Sequence, residues 1–295
     1  MKLKPESGFS LVELIVSITI LFFVAGIALT ALVASQRIYT SQQSQVDMHA
    51  GLRGAFELLT QEIGQAGAIN FTPTTLAHDI HGGSSVQDAP MSSTSNIFVG
   101  EKLIVDTGSS QETVSVTSVD ATKIRAIFSN DHLNGAVVAA RGVLPQGILS
   151  SSTATSLQIV GDVNADGTLA YVQYDCDTAA GTLTRSATTI APGVTSRNTA
   201  QTLLTNLVAN PGGNPCFQYA TSVSASGFTF IPSVAVSLTV QTSQRDSQTG
   251  QFVTMTKSFS NLSSRNILAG LAMAQASPAV TNRLQPAPAG LPLGP

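Results

Sequence analysis

The sequence predicts an α+β protein in which one long N-terminal helix precedes a β-rich region. An apolar run from Leu14 to Val33 and a helical spacing of apolar residues beyond it predict the helix. Short segments of alternating polarity after Asn96, separated by turn residues, predict the strands. Charged residues make up 11% of the 295, well below the ~25% of ordinary globular domains, which favours a β-rich exported protein.

The apolar run is long enough to span a bilayer. About twenty residues at ~1.5 Å each match the ~30 Å hydrocarbon core. Lys2 and Lys4 precede the run, so we expect the start of the chain to stay in the cytoplasm and everything after Arg37 to be exported. An ordinary secretory signal is the alternative, but its apolar segment is shorter.

Glu13 is the only ionisable side chain between Phe9 and Arg37. A charge at the centre of a membrane helix costs about 2.5–3.5 kcal/mol even on the mildest scales, so an isolated carboxylate there is by default a functional candidate. A secretory signal does not require a carboxylate at this position, so it does not explain Glu13.

The residues around Glu13 carry a family resemblance. Gly8-Phe9-Ser10-Leu11-Val12-Glu13-Leu14 resembles the leader junction of type IV pilins and type II secretion pseudopilins. The resemblance implies that prepilin peptidase removes a leader of residues 1–8 by cutting between Gly8 and Phe9, and methylates the new amino group of Phe9. It also implies that Glu13 pairs with the Phe9 amine of a neighbouring subunit and so sets the register of assembly.

The helix is predicted over residues 9–66, with 9–35 as the transmembrane and filament-core part. No proline interrupts it, and beyond Arg37 an apolar stripe recurs mostly at spacings of three and four: Val46, Leu52, Phe56, Leu59 and Ile63. Arg53 and Glu57 have the spacing of an exposed ion pair. The segments 53–59 and 62–67 resemble the helix end of PilW-type minor pilins and their GspJ-type relatives.

A β-rich head is predicted over residues 67–275. Within it, we interpret residues 71–96 as a loop and 96–142 as an inserted small all-β module. The strands predicted in the module are 103–105, 112–119, 123–128 and 136–140, and those in the rest of the head are 157–160, 169–175, 182–186, 216–219, 234–241 and 252–260.

The end of the head also resembles PilW and GspJ proteins. The tyrosine-rich strand 171–175, the Leu-x-Arg return strand 181–185 and the segment 263–266 carry the resemblance. Residues 276–295 are rich in proline, alanine and glycine, and we predict a flexible tail.

Two cysteines, Cys176 and Cys216, lie in the exported part, where an intramolecular disulfide is favoured. Closing a loop of about 40 residues is worth ~4 kcal/mol on the chain-entropy model. Two free thiols or a metal pair are the alternatives.

Asp162, Asn164 and Asp166, followed by Gly167, match the first half of a calcium loop. The twelfth position is Gln173, where an EF-hand has a glutamate. A plain Asp-Gly turn between strands explains the same residues and is favoured over calcium. Calcium is the one cofactor that the sequence suggests.

No nucleophile elbow, zinc-protease motif, Cys-x-x-Cys or phosphate loop occurs in the sequence, so no catalytic residue is assigned and an enzyme is disfavoured. The net charge of −3 gives little support for nucleic-acid binding.

The resemblance implies a PilW-like minor pilin that helps to prime a type IV pilus, with other minor and major pilins, prepilin peptidase and the inner-membrane assembly platform as partners. It further implies a single-pass inner-membrane protein with a periplasmic head that later reaches the pilus. A GspJ-like pseudopilin and a pilus-borne adhesin using the β-module are the alternatives.

Overall fold

The computed structural model describes residues 8, 10–69, 73–140, 142–191, 194–225, 227–276, 283–288 and 291. It has a long N-terminal helix followed by antiparallel sheets, which confirms the α+β prediction. The helices are α1 (Leu11–Gln65) and α2 (Arg265–Ala276). The strands are β1 (Thr74–Thr75), β2 (Gln87–Pro90), β3 (Lys102–Val105), β4 (Glu112–Ser115), β5 (Ser118–Val119), β6 (Lys123–Ala126), β7 (Val137–Ala140), β8 (Ser156–Gly161), β9 (Ala170–Asp177), β10 (Thr182–Thr189), β11 (Gln201–Thr205), β12 (Leu207–Val208), β13 (Phe217–Val223), β14 (Thr229–Gln241) and β15 (Thr254–Ser263).

The chain divides into two compact units. The first contains the chain up to Ala50 together with residues 241–254. In this unit the helical residues from Leu11 to Thr40 are all exposed, while Ser41, Ser44 and Met48 are buried. Residues 241–254 contain the loop between β14 and β15, which makes side-chain hydrogen bonds to Ser41 and Ser44.

The second unit contains the chain from Gly51 to Val240 and from Met255 onward. Its head has one sheet in the order β11-β10-β9-β8 and another in which β12, β13 and β15 all pair with β14. Four residues of the predicted stripe are at most 1% exposed: Leu52, Phe56, Leu59 and Ile63. Val46, which we placed on the same stripe, is 59% exposed, so the buried stripe begins after it.

Helix α1 ends because Gly67 adopts a left-handed backbone, with φ of 75°. The Gly67 amide then donates to the Val160 carbonyl at 2.8 Å, and the Leu144 amide donates to the Gly67 carbonyl at 2.9 Å. A Cβ at this position would lie 2.7 Å from the Leu144 oxygen, so only glycine fits the turn.

The β-module begins earlier than residue 96. Strands β1 and β2 lie in the segment that we interpreted as a loop, and they pair with β7 and β6. The module is therefore formed by a sheet in the order β1-β7-β3-β4 and another in the order β2-β6-β5. Its core includes Leu76, Ala89, Leu103, Ile124 and Phe128, each at most 1% exposed. Strands of two to four residues are too short for periodicity to reveal them.

Other strands also differ from prediction. The segment 112–119 forms two strands, β4 and β5, which pair in different sheets. Strands β11 and β12 and helix α2 were not predicted. Helix α2 begins at Arg265, directly after Ser264, whose Oγ accepts the Ile267 amide at 3.2 Å and so caps the helix.

The described part of the C-terminal segment contradicts the prediction of a flexible tail. Leu284 is 0% exposed and forms a parallel bridge with Val143. Gln285 is 1% exposed, and its side-chain amide bonds both backbone groups of Lys102 at 2.8 and 2.9 Å. The segment has no sequence pattern typical of a helix or a strand. The buried Leu284 side chain and the hydrogen-bonded side-chain amide of Gln285 nevertheless hold it in place.

Candidate functional site

The candidate site at the N-terminus is built on the first turn of α1. Gly8 is exposed, whereas Phe9, the expected site of cleavage and methylation, lies outside the described residues. The Val12 amide is 3.4 Å from Ser10 Oγ, and the Ser10 amide donates to Glu13 Oε2 at 3.1 Å. The bond from the Ser10 amide to Glu13 is the glutamate half of a Ser-x-x-Glu capping box, and the serine hydroxyl lies at the Val12 amide, one residue earlier than in the standard box.

The capping box gives Glu13 a role within its own chain that the sequence analysis missed. The signal was present, since Ser10 and Glu13 have the required spacing. Glu13 is exposed, and apart from the Ser10 amide its carboxylate has no cation beside it among the described residues. Glu13 can therefore cap its helix and still accept a cationic partner from another chain.

Helix α1 presents an uncovered apolar surface between Leu11 and Val33. The large apolar residues of this surface are between 43% and 73% exposed: Leu11, Val12, Leu14, Ile15, Val16, Ile18, Ile20, Leu21, Phe22, Phe23, Val24, Ile27, Leu29, Leu32 and Val33. The helix is long and apolar enough to cross a bilayer. A surface of this extent has to be covered by lipid or by other helices.

A buried ionic cluster, Glu62, Tyr174 and Arg185, joins α1 to the head. Glu62, on the last turns of α1, is only 2% exposed. The Arg185 Nε lies 3.1 Å from both oxygens of Glu62, and the Tyr174 hydroxyl donates to the same carboxylate. Because β9 and β10 are paired, with Tyr174 opposite Arg185, the two side chains reach Glu62 together.

The environment of this cluster changes its ionisation. Burial, followed by the charge of Glu62, raises the pKa of Tyr174. Burial, the largest single effect, would lower the pKa of Arg185, but the hydrogen bond and charge of Glu62 together with the contact to Tyr174 outweigh it and raise the pKa. The cluster is therefore a neutral tyrosine and an ion pair, which fixes α1 on the sheet. Glu62 is far from Tyr174 and Arg185 in the sequence, so no local sequence pattern predicts that these side chains meet.

The structure joins Cys176 and Cys216 in a disulfide, the pairing expected from the sequence. Cys176 lies in β9, and Cys216 directly precedes β13. The bond therefore links the two sheets of the head.

The Asp162 loop connects β8 to β9. The two carboxylate oxygens of Asp162 accept the amides of Asp166 and Gly167, each at 3.0 Å, and Asp166 Oδ1 accepts the Thr168 amide at 2.8 Å. An aspartate that bonds amides further along the chain stabilises a turn without an ion. In the described part of the chain, no three His, Cys, Asp or Glu side chains group as metal ligands. Calcium binding by Asp162, Asn164 and Asp166 stays a prediction.

The module contains a buried histidine that the sequence analysis did not single out. The His132 side chain is 0% exposed, with Nδ1 3.2 Å from Asp106 Oδ2 and Nε2 2.7 Å from Glu112 Oε1. Hydrogen bonds from the Thr107 amide and from His132 lower the pKa of Asp106. Burial, the largest single effect, would raise the pKa of Glu112, but the contacts with His132 and the hydrogen bonds from the Ser129 and Asn130 amides together outweigh it and lower the pKa. Because the His132 side chain is fully buried, we interpret it as a structural group of the module.

Comparison with known proteins matched residues 3–29 to the family model described as the prokaryotic N-terminal methylation motif. Comparisons with curated proteins and with solved structures gave no match. The motif and the long apolar helix together support a type IV pilin-like protein, that is, a pilin or pseudopilin processed by prepilin peptidase. They support membrane anchoring and a structural rather than a catalytic protein.

Proposed function

We propose that this chain is a PilW-like minor pilin that takes part in priming and assembling a type IV pilus. The observation that carries the proposal is the methylation motif joined directly to α1, whose apolar surface is uncovered from Leu11 to Val33. Prepilin peptidase cuts after Gly8 and methylates Phe9, and the helix stays on the mature protein. The chain waits in the inner membrane as a single-pass protein with its head in the periplasm.

Assembly moves α1 from lipid to the helices of other pilins. In that dry environment the Glu13 carboxylate requires a positive partner, because an unpaired charge in a medium of low polarity is strongly unfavourable. The methylated amine of a neighbouring subunit's Phe9 keeps its positive charge and supplies that partner. Because each helix has one such carboxylate near its start, this pairing fixes the axial position of each subunit relative to its neighbour.

Support for the minor-pilin form of the proposal comes from the head. Glu62, Tyr174 and Arg185 lie in the segments that carry the PilW and GspJ resemblance, and they contact one another. The residues that make the resemblance therefore form one structural unit between helix and sheet. The partners are other minor and major pilins and the assembly platform.

Processing is tested by the intact mass of the protein isolated from native membranes. Removal of residues 1–8 and addition of one methyl group to Phe9 should both be visible. A Gly8→Leu variant should retain its leader, because the peptidase requires a small residue before the cut. A native protein that begins downstream of Val33 would contradict the proposal.

The Glu13 pairing is tested with three variants. Glu13→Ala removes charge and cap, Glu13→Gln removes the charge but keeps a residue that closes a capping box, and Glu13→Asp keeps the charge. We expect all three to be cleaved and methylated. Incorporation into sheared pili, measured by immunoblot, should be lost in the first two and partly kept in Glu13→Asp. Normal incorporation of Glu13→Gln would show that only the cap matters.

Adhesion is the second candidate function, and the module favours it. The module has a core of its own, and its loop exposes 74% of Leu133. A chain lacking residues 74–140 should still support pilus assembly in the priming proposal. Pili that are normal in number but no longer attach cells to a surface would assign adhesion to the module.

A further inference from the structure

Strand β15 forms an open edge of its sheet. It pairs with β14, and no described strand lies on its other side. The Thr242 amide donates to the Val253 carbonyl at 2.9 Å, and the hydroxyls of Thr239 and Thr256 are 2.8 Å apart. The alternation of an antiparallel ladder then directs the backbone groups of Thr256 and Ser258 away from β14. These groups are positioned to bond a further strand.

Little on β15 protects this edge from another chain. The strand has ten residues, from Thr254 to Ser263, contains no proline, and has Lys257 as its only charge. Long exposed edges usually carry prolines or several charges, because their unpaired backbone groups otherwise bind other strands. The edge of β15 is therefore suited to strand addition, in which backbone hydrogen bonds hold an extended segment.

On the side of α1, the edge borders an aromatic groove. The rings of Phe56 and Phe259 meet edge to face with their centroids 5.1 Å apart, and Phe259 is 40% exposed. A cavity of about 300 Å³ at these rings is lined by Phe56, Glu57, Thr60, Gln61, Lys257 and Phe259. Because side chains alternate along a strand, a segment added to β15 would direct every second side chain into this groove.

Lys257 gives the groove a charge preference. Its ammonium lies 5.0 Å from the centre of the Phe56 ring and 5.4 Å from that of Phe259, and no carboxylate is paired with it in the described part of the chain. Glu57 lines the same cavity, but its carboxylate is paired with Arg53 at 3.3 Å. A strand that covered Lys257 without a counter-charge would bury an unpaired ammonium, which is unfavourable. A strand with a carboxylate at this point would pair with it.

We propose that β15 binds an extended segment of another pilin subunit, which adds to its open edge as a strand. An aspartate or glutamate of that segment pairs with Lys257, and an apolar side chain two residues away covers Phe259. The identity of the partner rests on the assembly role proposed above, whereas the edge, the groove and the charge belong to the head itself. Lys257 makes the contact selective, because it disfavours strands that bring only apolar side chains or a cation.

Peptide binding tests the edge and its charge preference. The probes are labelled peptides Thr-Val-Thr-X-Thr-Val-Thr, in which X is glutamate, glutamine or lysine, and fluorescence anisotropy measures their binding to the full chain in detergent. The glutamate peptide should bind at least about fivefold more tightly than the lysine peptide, as expected for a cross-strand charge pair. Lys257→Glu should reverse this order. Arg125→Gln, which removes a positive charge from the module, should leave it unchanged.

Ser258→Pro tests whether the backbone edge is used. The substitution leaves the ladder to β14 intact, because the Ser258 amide faces away from that strand. Thermal unfolding should be unchanged, while affinity for the glutamate peptide should fall at least about fivefold. Ser258→Ala loses the same hydroxyl but keeps the amide, so it should bind normally. Absence of peptide binding, equal binding of the three peptides, or normal binding by folded Ser258→Pro would each overturn strand addition.

Cross-linking in cells that assemble pili tests the partner. A photoreactive benzoylphenylalanine in place of exposed Ser260 should join β15 to an acidic segment of another pilin, and Lys257→Glu should abolish the product. A cross-link to a second copy of this chain would overturn the choice of partner. A cross-link to a protein outside the pilus, with the peptide preference intact, would contradict the proposed assembly role and leave strand addition standing.

Discussion

At the scale of single residues, three carboxylates illustrate three ways of accommodating a charge. Glu13 is exposed and bonds only an amide of its own helix, so it is free to meet a cation from another chain. Glu62 is buried with Arg185 and Tyr174. Glu101 is 0% exposed, and its Oε1 has no hydrogen-bond partner in the described structure. Each environment predicts a different effect of substitution or of pH on the protein.

Removing the charge of Glu62 should destabilise the head. Glu62→Gln leaves Arg185, whose side chain is 18% exposed, without a counter-charge, which costs up to about 3 kcal/mol of unfolding free energy. Urea unfolding of the purified protein in detergent measures the loss. Glu57→Gln breaks the exposed pair with Arg53, both more than 70% exposed, and is the control: it should cost less than about 0.5 kcal/mol. Equal effects of the two variants would contradict the structural role of the cluster.

Glu101 should make stability fall as pH rises. Burial raises its pKa from 4.5 to about 8, an effect that the Phe98 amide opposes only in part. The folded state therefore keeps a proton that the unfolded state loses above pH 4.5, and the free energy of unfolding decreases between about pH 5 and pH 8, by an amount on the order of 4 kcal/mol. Urea titrations across this range measure the slope. Glu101→Gln should flatten it, and a slope equal to that of the unmodified protein would refute the assignment.

At the scale of elements, α1 and the turn that follows it contain glycines with opposite roles. Gly54 lies inside the helix, is exposed, and has no atom within 4 Å of an added Cβ. Gly67 ends the helix with a positive φ and a carbonyl 2.7 Å from an added Cβ. The first weakens the helix, and the second is needed to turn the chain into the head.

Alanine at these two positions should therefore act in opposite directions. Gly54→Ala should raise the free energy of unfolding by up to about 1 kcal/mol, since alanine is the better helix former. Gly67→Ala should lower it by at least about 1 kcal/mol, because alanine is strained at positive φ and would contact Leu144. Thermal unfolding followed by circular dichroism compares them. A destabilised Gly54→Ala variant would mean that this face of α1 is covered.

At the scale of the whole molecule, the head depends on links between segments distant in sequence. The disulfide joins two sheets, and residues 283–288 bond to Val143 and Lys102. Such links determine which strands share a core, and the module is built in the same way from β1 and β2 at one end of its sequence and β7 at the other.

Mass spectrometry of the unreduced protein should find the peptides of Cys176 and Cys216 joined, with no thiol open to alkylation. Replacing both cysteines by serine should lower stability by up to about 4 kcal/mol, because the unfolded chain regains the entropy of a loop of about 40 residues. The paired substitution avoids a lone reactive thiol. Two alkylatable cysteines in native protein would contradict the bond.

The sequence by itself determined the features that depend on local pattern. The motif at Gly8 and Phe9, the solitary Glu13 and the length of α1 can be read directly, because helix periodicity, bilayer thickness and the cost of a charge act within a few turns. The longer strands from β8 to β10 were also predicted from local sequence pattern, in their case from short apolar segments separated by turn residues.

Only the tertiary structure decided the rest. It placed Arg185 and Tyr174 on Glu62, enclosed His132 between two carboxylates, included β1 and β2 in the module, and fixed Leu284 and Gln285 against Val143 and Lys102. Each of these depends on residues that are tens to hundreds of positions apart. Their contacts form when sheets and helix bury a common core, and no local pattern records which distant partner will fill a given place in it.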